Sequence, residues 1–253
     1  MTGDLRRRLH EGPVLGTFLK LPRQEIVEIL SRQGFDFVIC DLEHAQMDER
    51  DARLVILAGR AVDLPVIVRV ASPDRGVINR LLECGAEGIQ LPRTKSPEDT
   101  GRLRDLMTYP PDGSRSVSQA QPAAGFGAEA LAAYLQRSNS SVLTVGQFET
   151  ANLVKPLDEA VKALDVAFIG SVDLSVDVGC PGDVGTPEVQ QRIALVEEAC
   201  GRTGTALGVF AGTAEEARTA LSTGYRYIAL ASDLALLRQG ASSILSSVRE
   251  QRT

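Results

Sequence analysis

The feature that most constrains this chain is an alternation. Short runs rich in Val, Ile, Leu and Phe recur at residues 14–19, 36–41, 65–70, 88–91, 142–148, 166–170, 206–210 and 225–230. Most are followed by a longer helix-like stretch, at 23–33, 49–60, 74–84, 97–107, 151–163, 187–203, 213–223 and 233–249. Strand runs without strict polar alternation suit parallel strands covered on both faces. Repeated strand-then-helix order suits a parallel sheet. Eight such units in 253 residues predict one (β/α)8 TIM barrel domain, a fold typically of about 250 residues. The main rival is a doubly wound sheet, which needs a Gly-rich turn after its first strand. Here that turn reads Leu19-Lys20-Leu21-Pro22, so the barrel is favoured. Gln33-Gly34, Cys84-Gly85 and Thr223-Gly224 place a glycine where a helix would end. Ser96-Pro97 and Thr186-Pro187 read as helix starts. Residues 109–139 are the one long interruption, with a short helix expected at 128–137. Residues 1–12 read as an N-terminal arm.

Composition narrows the function. The net charge is −6 and the longest basic cluster is Arg6-Arg7-Arg8, a poor match to the phosphate backbone of nucleic acid. No apolar run approaches the roughly 20 residues that span a bilayer. The N-terminus has no apolar signal core, and a cytoplasmic protein is expected. Cys40, Cys84, Cys180 and Cys200 form no C-x-x-C pair and read as reduced thiols, with Cys40 a small core residue.

In a barrel, catalytic groups come from the C-terminal ends of strands and the loops that follow. Those places hold Asp41-Leu42-Glu43-His44, Arg69, Gln90-Leu91-Pro92-Arg93, Gln147-Phe148-Glu149 and Gly170-Ser171-Val172-Asp173. Glu149 and Asp173 follow neighbouring strands, so their carboxylates can converge on one hard divalent cation. Equally, Glu149 can be an acid favoured by a helix N-terminus and Asp173 a cap, and the residues alone leave both readings open. His44 sits beside two carboxylates that can orient an imidazole for acid–base work, or it is a hydrogen-bonded structural histidine. His10, in the arm, reads as solvated. Arg69 follows an apolar stretch and needs partners. Barrel carboxylates and a substrate oxyanion both qualify. Of four lysines, Lys155 and Lys162 are expected on a polar helix face and Lys95 in a loop. Lys20 follows the first strand and alone keeps a Schiff-base mechanism open. No nucleophile motif of the G-x-S-x-G kind is present.

These segments resemble a known family. FDFVICDLEH at 35–44 is similar to the FDxxxxDxEH segment of the HpcH/HpaI aldolases, the metal-dependent 2-oxo acid aldolases. Further matches are VRV at 68–70, LLECGA at 81–86, YPPDGSR at 109–115, QFET at 147–150 and FIGSVDLS at 168–175. They run in order along nearly the whole chain. The resemblance implies a (β/α)8 barrel that cleaves 4-hydroxy-2-oxo acids to pyruvate and an aldehyde, and runs the reverse addition. It implies Glu149 and Asp173 as ligands of Mg2+, Mn2+ or Co2+. Gln147 then contacts the pyruvyl group, and the backbone of Gly170 and Ser171 holds its carboxylate. Arg69 stabilises the enolate, and His44 with Asp41 forms the acid–base dyad. Glu83 matches an acid that reaches a neighbouring subunit's site. A hexamer, a trimer of dimers joined through the C-terminal helix, is implied too.

The chain departs from the pattern at Lys20, where a small or polar residue is frequent, and at Ser171 and Phe148. Residues 116–127 match poorly. Lys20 is therefore expected to bind an acidic group of the substrate. Oxaloacetate decarboxylation, or enolate addition to an unsaturated acceptor, fits the same chemistry. A citrate-lyase β-like enzyme would need a coenzyme A site, and no basic phosphate site is visible.

Overall fold

A computed structural model of the protein describes residues 5–250. Eight parallel strands close a barrel in chain order: β1 (Val14–Leu19), β2 (Phe37–Asp41), β3 (Val66–Arg69), β4 (Gly88–Leu91), β5 (Leu143–Phe148), β6 (Val166–Ile169), β7 (Ala206–Ala211) and β8 (Tyr227–Ser232). The helices are α1 (Leu5–Glu11), α2 (Gln24–Arg32), α3 (Glu49–Ala61), α4 (Arg75–Cys84), α5 (Pro97–Met107), α6 (Leu131–Ser141), α7 (Leu157–Lys162), α8 (Ser171–Val178), α9 (Pro187–Thr203), α10 (Ala214–Ser222) and α11 (Asp233–Glu250). The eight expected strands are all present. None of these helices is long and apolar enough to cross a membrane.

Strands β2 to β6 are buried on both faces, as the unbroken apolar runs require, and β7 is the most open, with Phe210 exposed. In β2, Val38 and Cys40 pack outward against the helices, whereas Phe37 and Ile39 point into the barrel. Cys40 is thus the core residue expected, and burial pushes its thiol far above the ordinary range. The interior is filled by Phe37, Ile39, Ile67, Leu143, Val145, Phe168 and Tyr227. Phe37 stacks on Tyr227 with ring centroids 4.3 Å apart. Gly16 leaves room for that stack: a Cβ there would lie 2.3 Å from the Phe37 ring.

The described part of the N-terminal arm is mostly the helix α1, Leu5–Glu11. Leu5 and Leu9 of α1, one turn apart, join the interior cluster at the starts of the strands. Arg6 bonds Asp165 at 2.8 Å and Arg8 pairs with Asp36, both acids that precede strands. α1 therefore plugs the end of the barrel opposite the loops that follow the strands. His10 is exposed, as expected.

Three expectations are corrected. The helix placed at 151–163 is only Leu157–Lys162, because a residue before proline is pushed out of the helical region and Pro156 follows Lys155. Lys155 therefore lies in a loop. The helix placed at 128–137 runs Leu131–Ser141 and follows a 3-10 turn at Pro122–Gly127. Gly125, Phe126 and Gly127 hold φ of 57°, 55° and 86°, which no right-handed helix passes through. A two-turn helix, α8, occupies residues read as a loop or short helix, and it carries Asp173 in its first turn.

Candidate active site

Polar side chains replace apolar ones at the C-terminal mouth of the barrel. The inward positions there are Asp41 on β2, Arg69 on β3, Gln90 on β4 and Gln147 on β5, all buried. Buried polar groups must find partners, and these find one another. Gln90 donates to Gln147 at 2.6 Å, and Gln147 donates to the Glu149 carboxylate. The backbone N–H of Arg93 donates to the other Glu149 oxygen at 2.7 Å. Glu149 is thus fixed at both oxygens.

Asp41 is the hub of the other half. Arg69 reaches its two oxygens at 2.9 and 2.8 Å, and Lys20 Nζ reaches Oδ2 at 2.6 Å. The amides of Glu43 and His44 add two bonds to Oδ1 at 3.2 Å. Burial by itself would raise the Asp41 carboxyl, but the Arg69 contacts, then Lys20, hold it well below the usual range. Lys20 is held in turn from behind, because Asp233 accepts from the backbone N–H of both Lys20 and Leu21.

The orienting partner of His44 differs from expectation. Asp41 meets the backbone of His44, and its oxygens are occupied by Arg69 and Lys20. The imidazole Nε2 instead lies 3.5 Å from Glu43 Oε2, which also lies 3.4 Å from Arg69 Nε. That Glu43 oxygen is buried and has no hydrogen-bond partner. Burial pushes the Glu43 carboxyl up, Arg69 and His44 pull it down, and Asp41 and Asp173 add to the rise. Glu149 is also raised, chiefly by burial and further by Asp173 and Glu43, against the lowering effect of Gln147 and Arg93.

Lys20, His44, Arg69, Gln147, Gly170, Ser171 and Asp173 line one cleft of about 300 Å³, walled by Phe18, Phe168 and Phe210. Asp41 and Glu149 are buried directly behind this lining. Glu83 is not part of it: it sits on α4, outside the barrel, and accepts from Asn79 at 3.1 Å. Among the described residues no group of three or more His, Cys, Asp and Glu is placed to hold a metal, so the candidate ligands are two carboxylates. Gly170 is packed against one of them, since a Cβ there would lie 2.7 Å from Glu149 Oε2. Sequence reasoning offered Glu43 only as one of two carboxylates beside His44, and assigned no role to Gln90 or the aromatic wall. Gln90 had a signal, being the one long polar side chain within an apolar strand. Phe18 and Phe210 had none, because an apolar strand residue reads as core.

Comparisons with known proteins identify the family. The family model described as HpcH/HpaI aldolase/citrate lyase matches residues 15–240. The chain is 32% identical to the hydroxypyruvate/pyruvate aldolase of Paraburkholderia phytofirmans, covering 98% of each chain. It is 31% identical to a 2-dehydro-3,6-dideoxy-6-sulfogluconate aldolase of Pseudomonas putida, covering 93% of this chain and 92% of that one. The crystal structure of a family protein from Burkholderia cenocepacia superposes with a TM-score of 0.90 at 32% identity, covering 98% of this chain and all of the other. The family is generally dependent on divalent metal. The chain belongs to the HpcH/HpaI aldolase/citrate lyase family.

Proposed function

We propose that the cleft cleaves and forms 4-hydroxy-2-oxo acids, with pyruvate or a related 2-oxo acid as one partner and an aldehyde as the other. The chain is a carbon–carbon lyase of the aldolase type. One observation carries the reading. Three acids, Glu149, Asp173 and Glu43, act on one another electrostatically, and each of the two more buried ones is raised by Asp173. Arg69 faces only Glu43 of the three, and the convergence of Glu149 and Asp173 fits a divalent ion. Glu149 and Asp173 would hold it, leaving positions for water and substrate, as Mg2+ or Mn2+ prefers. When bound, such an ion supplies Lewis acidity to a chelated 2-oxo acid.

The chain's own residues do the rest. α8 starts at Gly170 with no side-chain cap, so the backbone N–H groups from Ser171 onward are open to a carboxylate. Gln147, held by Gln90 and Glu149, orients the pyruvyl end. In cleavage, His44 takes the proton of the C4 hydroxyl, and the C4–O pair forms the aldehyde carbonyl. The C3–C4 pair moves into the pyruvyl fragment, and charge collects on its C2 oxygen. Arg69, 7% exposed and locked by Asp41, places positive charge there without reorganisation. His44 is 56% exposed, so its proton exchanges with solvent.

The reading is tested with pyruvate and an aldehyde panel, with Mg2+, Mn2+ or Co2+, EDTA and borohydride. Loss with EDTA and no trapping by borohydride is expected. Borohydride trapping on Lys20, or activity indifferent to EDTA, overturns it.

The proposal extends to self-association. Leu237, Ile244, Leu245 and Val248 of α11 are all more than half exposed and share one helix face. A second copy of the chain covers this stripe, in dimers that build a hexamer, and Glu83 serves a neighbouring cleft.

A further inference from the structure

The sequence offers Lys20 as a reader of some acidic group on the substrate. Its position points elsewhere. Lys20 Nζ and Arg69 Nη2 bond the same oxygen, Asp41 Oδ2, at 2.6 and 2.8 Å. The two nitrogens are therefore at most 5.4 Å apart. Arg69 is the donor for the oxygen that becomes C2–O of the pyruvyl fragment. Lys20 Nζ thus lies within 5.4 Å of the Arg69 guanidinium in the same cleft lining, close enough for both to reach one small ligand rather than a distant substituent.

An ammonium carries three donors. Lys20 spends one on Asp41, and its side chain keeps 25% exposure within the cleft lining, beside Phe18 and Ser232. Two donors thus remain for a ligand. The side chain cannot easily swing away. Asp41 anchors its tip, and Asp233 anchors the backbone of Lys20 and Leu21 at 2.8–3.1 Å. A fixed, partly desolvated cation next to a reacting centre is what stabilises charge that appears only during reaction.

We infer that Lys20 is a catalytic donor to the electrophile's oxygen. It hydrogen-bonds the aldehyde carbonyl in addition and the C4 alkoxide in cleavage, while His44 carries the proton. The inference rests on the aldolase reading above. In the addition step the C3–C4 bond forms, the carbonyl pair moves to the C4 oxygen, and Lys20 binds that oxygen until His44 protonates it. No covalent bond to Lys20 forms.

The test separates the two halves of the reaction. Exchange of the pyruvate methyl protons with D2O, in the presence of Mg2+ and no aldehyde, needs Arg69 and the carboxylates but no C4 oxygen. Cleavage of 2-oxo-4-hydroxypentanoate, whose aldehyde product is neutral, needs both halves. Lys20→Met is expected to slow cleavage by about 100-fold, the loss typical of one oxyanion donor, with exchange slowed less than about fivefold. Lys20→Arg is expected to recover part of the cleavage rate. Equal losses in exchange and cleavage overturn the inference, because Lys20 would then act only through Asp41 and Arg69. So does a loss confined to an aldol of an acidic aldehyde such as glyoxylate. A wild-type protein that catalyses neither exchange nor cleavage sinks the aldolase reading itself.

Discussion

Removing the Asp41 carboxylate strands two cations. Asp41 is fully buried and receives Arg69 at both oxygens, Lys20 at one, and the amides of Glu43 and His44. In Asp41→Ala, Arg69, 7% exposed, keeps Glu43 at 3.4 Å and the face of the Phe18 ring at 4.7 Å but loses both close hydrogen bonds. Breaking a buried ion pair from one side costs about 3–5 kcal/mol. That is a large share of a total stability of about 5–15 kcal/mol. Asp41→Asn keeps an acceptor but no charge and should lose about 2 kcal/mol, the scale of a hydrogen bond to a charged group. The pH dependence has a definite sign. The folded carboxyl titrates well below its unfolded value of about 4, so its stabilisation is complete above that value. It is lost as pH falls toward the folded value. The gap between wild type and Asp41→Ala, measured by urea unfolding, should therefore be widest near pH 7 and narrow steadily below about pH 4. A loss under about 1 kcal/mol at pH 7, or a gap that ignores pH, refutes the buried-hub account.

Three further perturbations probe the metal and assembly readings. Glu149 has a raised carboxyl, so its ionisation costs stability as pH rises through the folded value, and Glu149→Gln removes that cost. The metal-free variant should unfold at pH 7 no earlier than wild type, yet lose the Mn2+ thermal shift, which is about 5–10 °C for wild type at 100 times the Kd; a retained shift removes Glu149 from the ligand set. Gly170→Ala brings a Cβ to 2.7 Å of Glu149 Oε2 and 3.3 Å of Gln147 Nε2. Mn2+ affinity should fall at least about tenfold with little change in far-UV circular dichroism, the scale seen when a ligand's support is disturbed. Leu237→Glu with Ile244→Glu puts charge on the exposed α11 stripe and should lower the molar mass seen by light scattering toward 27.1 kDa; an unchanged mass means the stripe is not the contact.

The barrel was legible because each unit announces itself locally: an apolar run, a turn, an amphipathic stretch. The exceptions were also local. Pro156 delays α7, and the left-handed residues Gly125 to Gly127 delay α6, effects that a periodicity argument smooths over. The plug formed by Leu5 and Leu9 was not legible, since two apolar residues in a seven-residue helix do not say what they cover. The site was half legible. Strand-end position identified Asp41, Arg69, Gln147 and Glu149 because a barrel sends its last inward residues to one mouth. Position does not choose partners, however. Asp41 and His44 are three residues apart and the family resemblance pairs them, yet Asp41 meets only the backbone of His44. Residues 21 and 28 positions from Asp41 in the chain hold it instead.

That exchange of partners has a chemical consequence. A histidine oriented by Asp41 would face a carboxylate held far below the usual range, a fixed negative charge. Here the imidazole faces Glu43, whose carboxyl is raised and whose nearer oxygen has no hydrogen bond. The Glu43 carboxyl is therefore easier to protonate than that of Asp41, which Arg69 and Lys20 hold down. The deep group of three, Asp41 with Arg69 and Lys20, is tied together by its own hydrogen bonds, which hold the Asp41 carboxyl low. The outer pair, Glu43 with His44, is where a proton can move. Asp41 and Arg69 end strands β2 and β3 and Lys20 directly follows β1, whereas Glu43 and His44 lie on the loop beyond β2, so the aldolase reading rests its fixed charges on the barrel wall and its proton carrier on the rim.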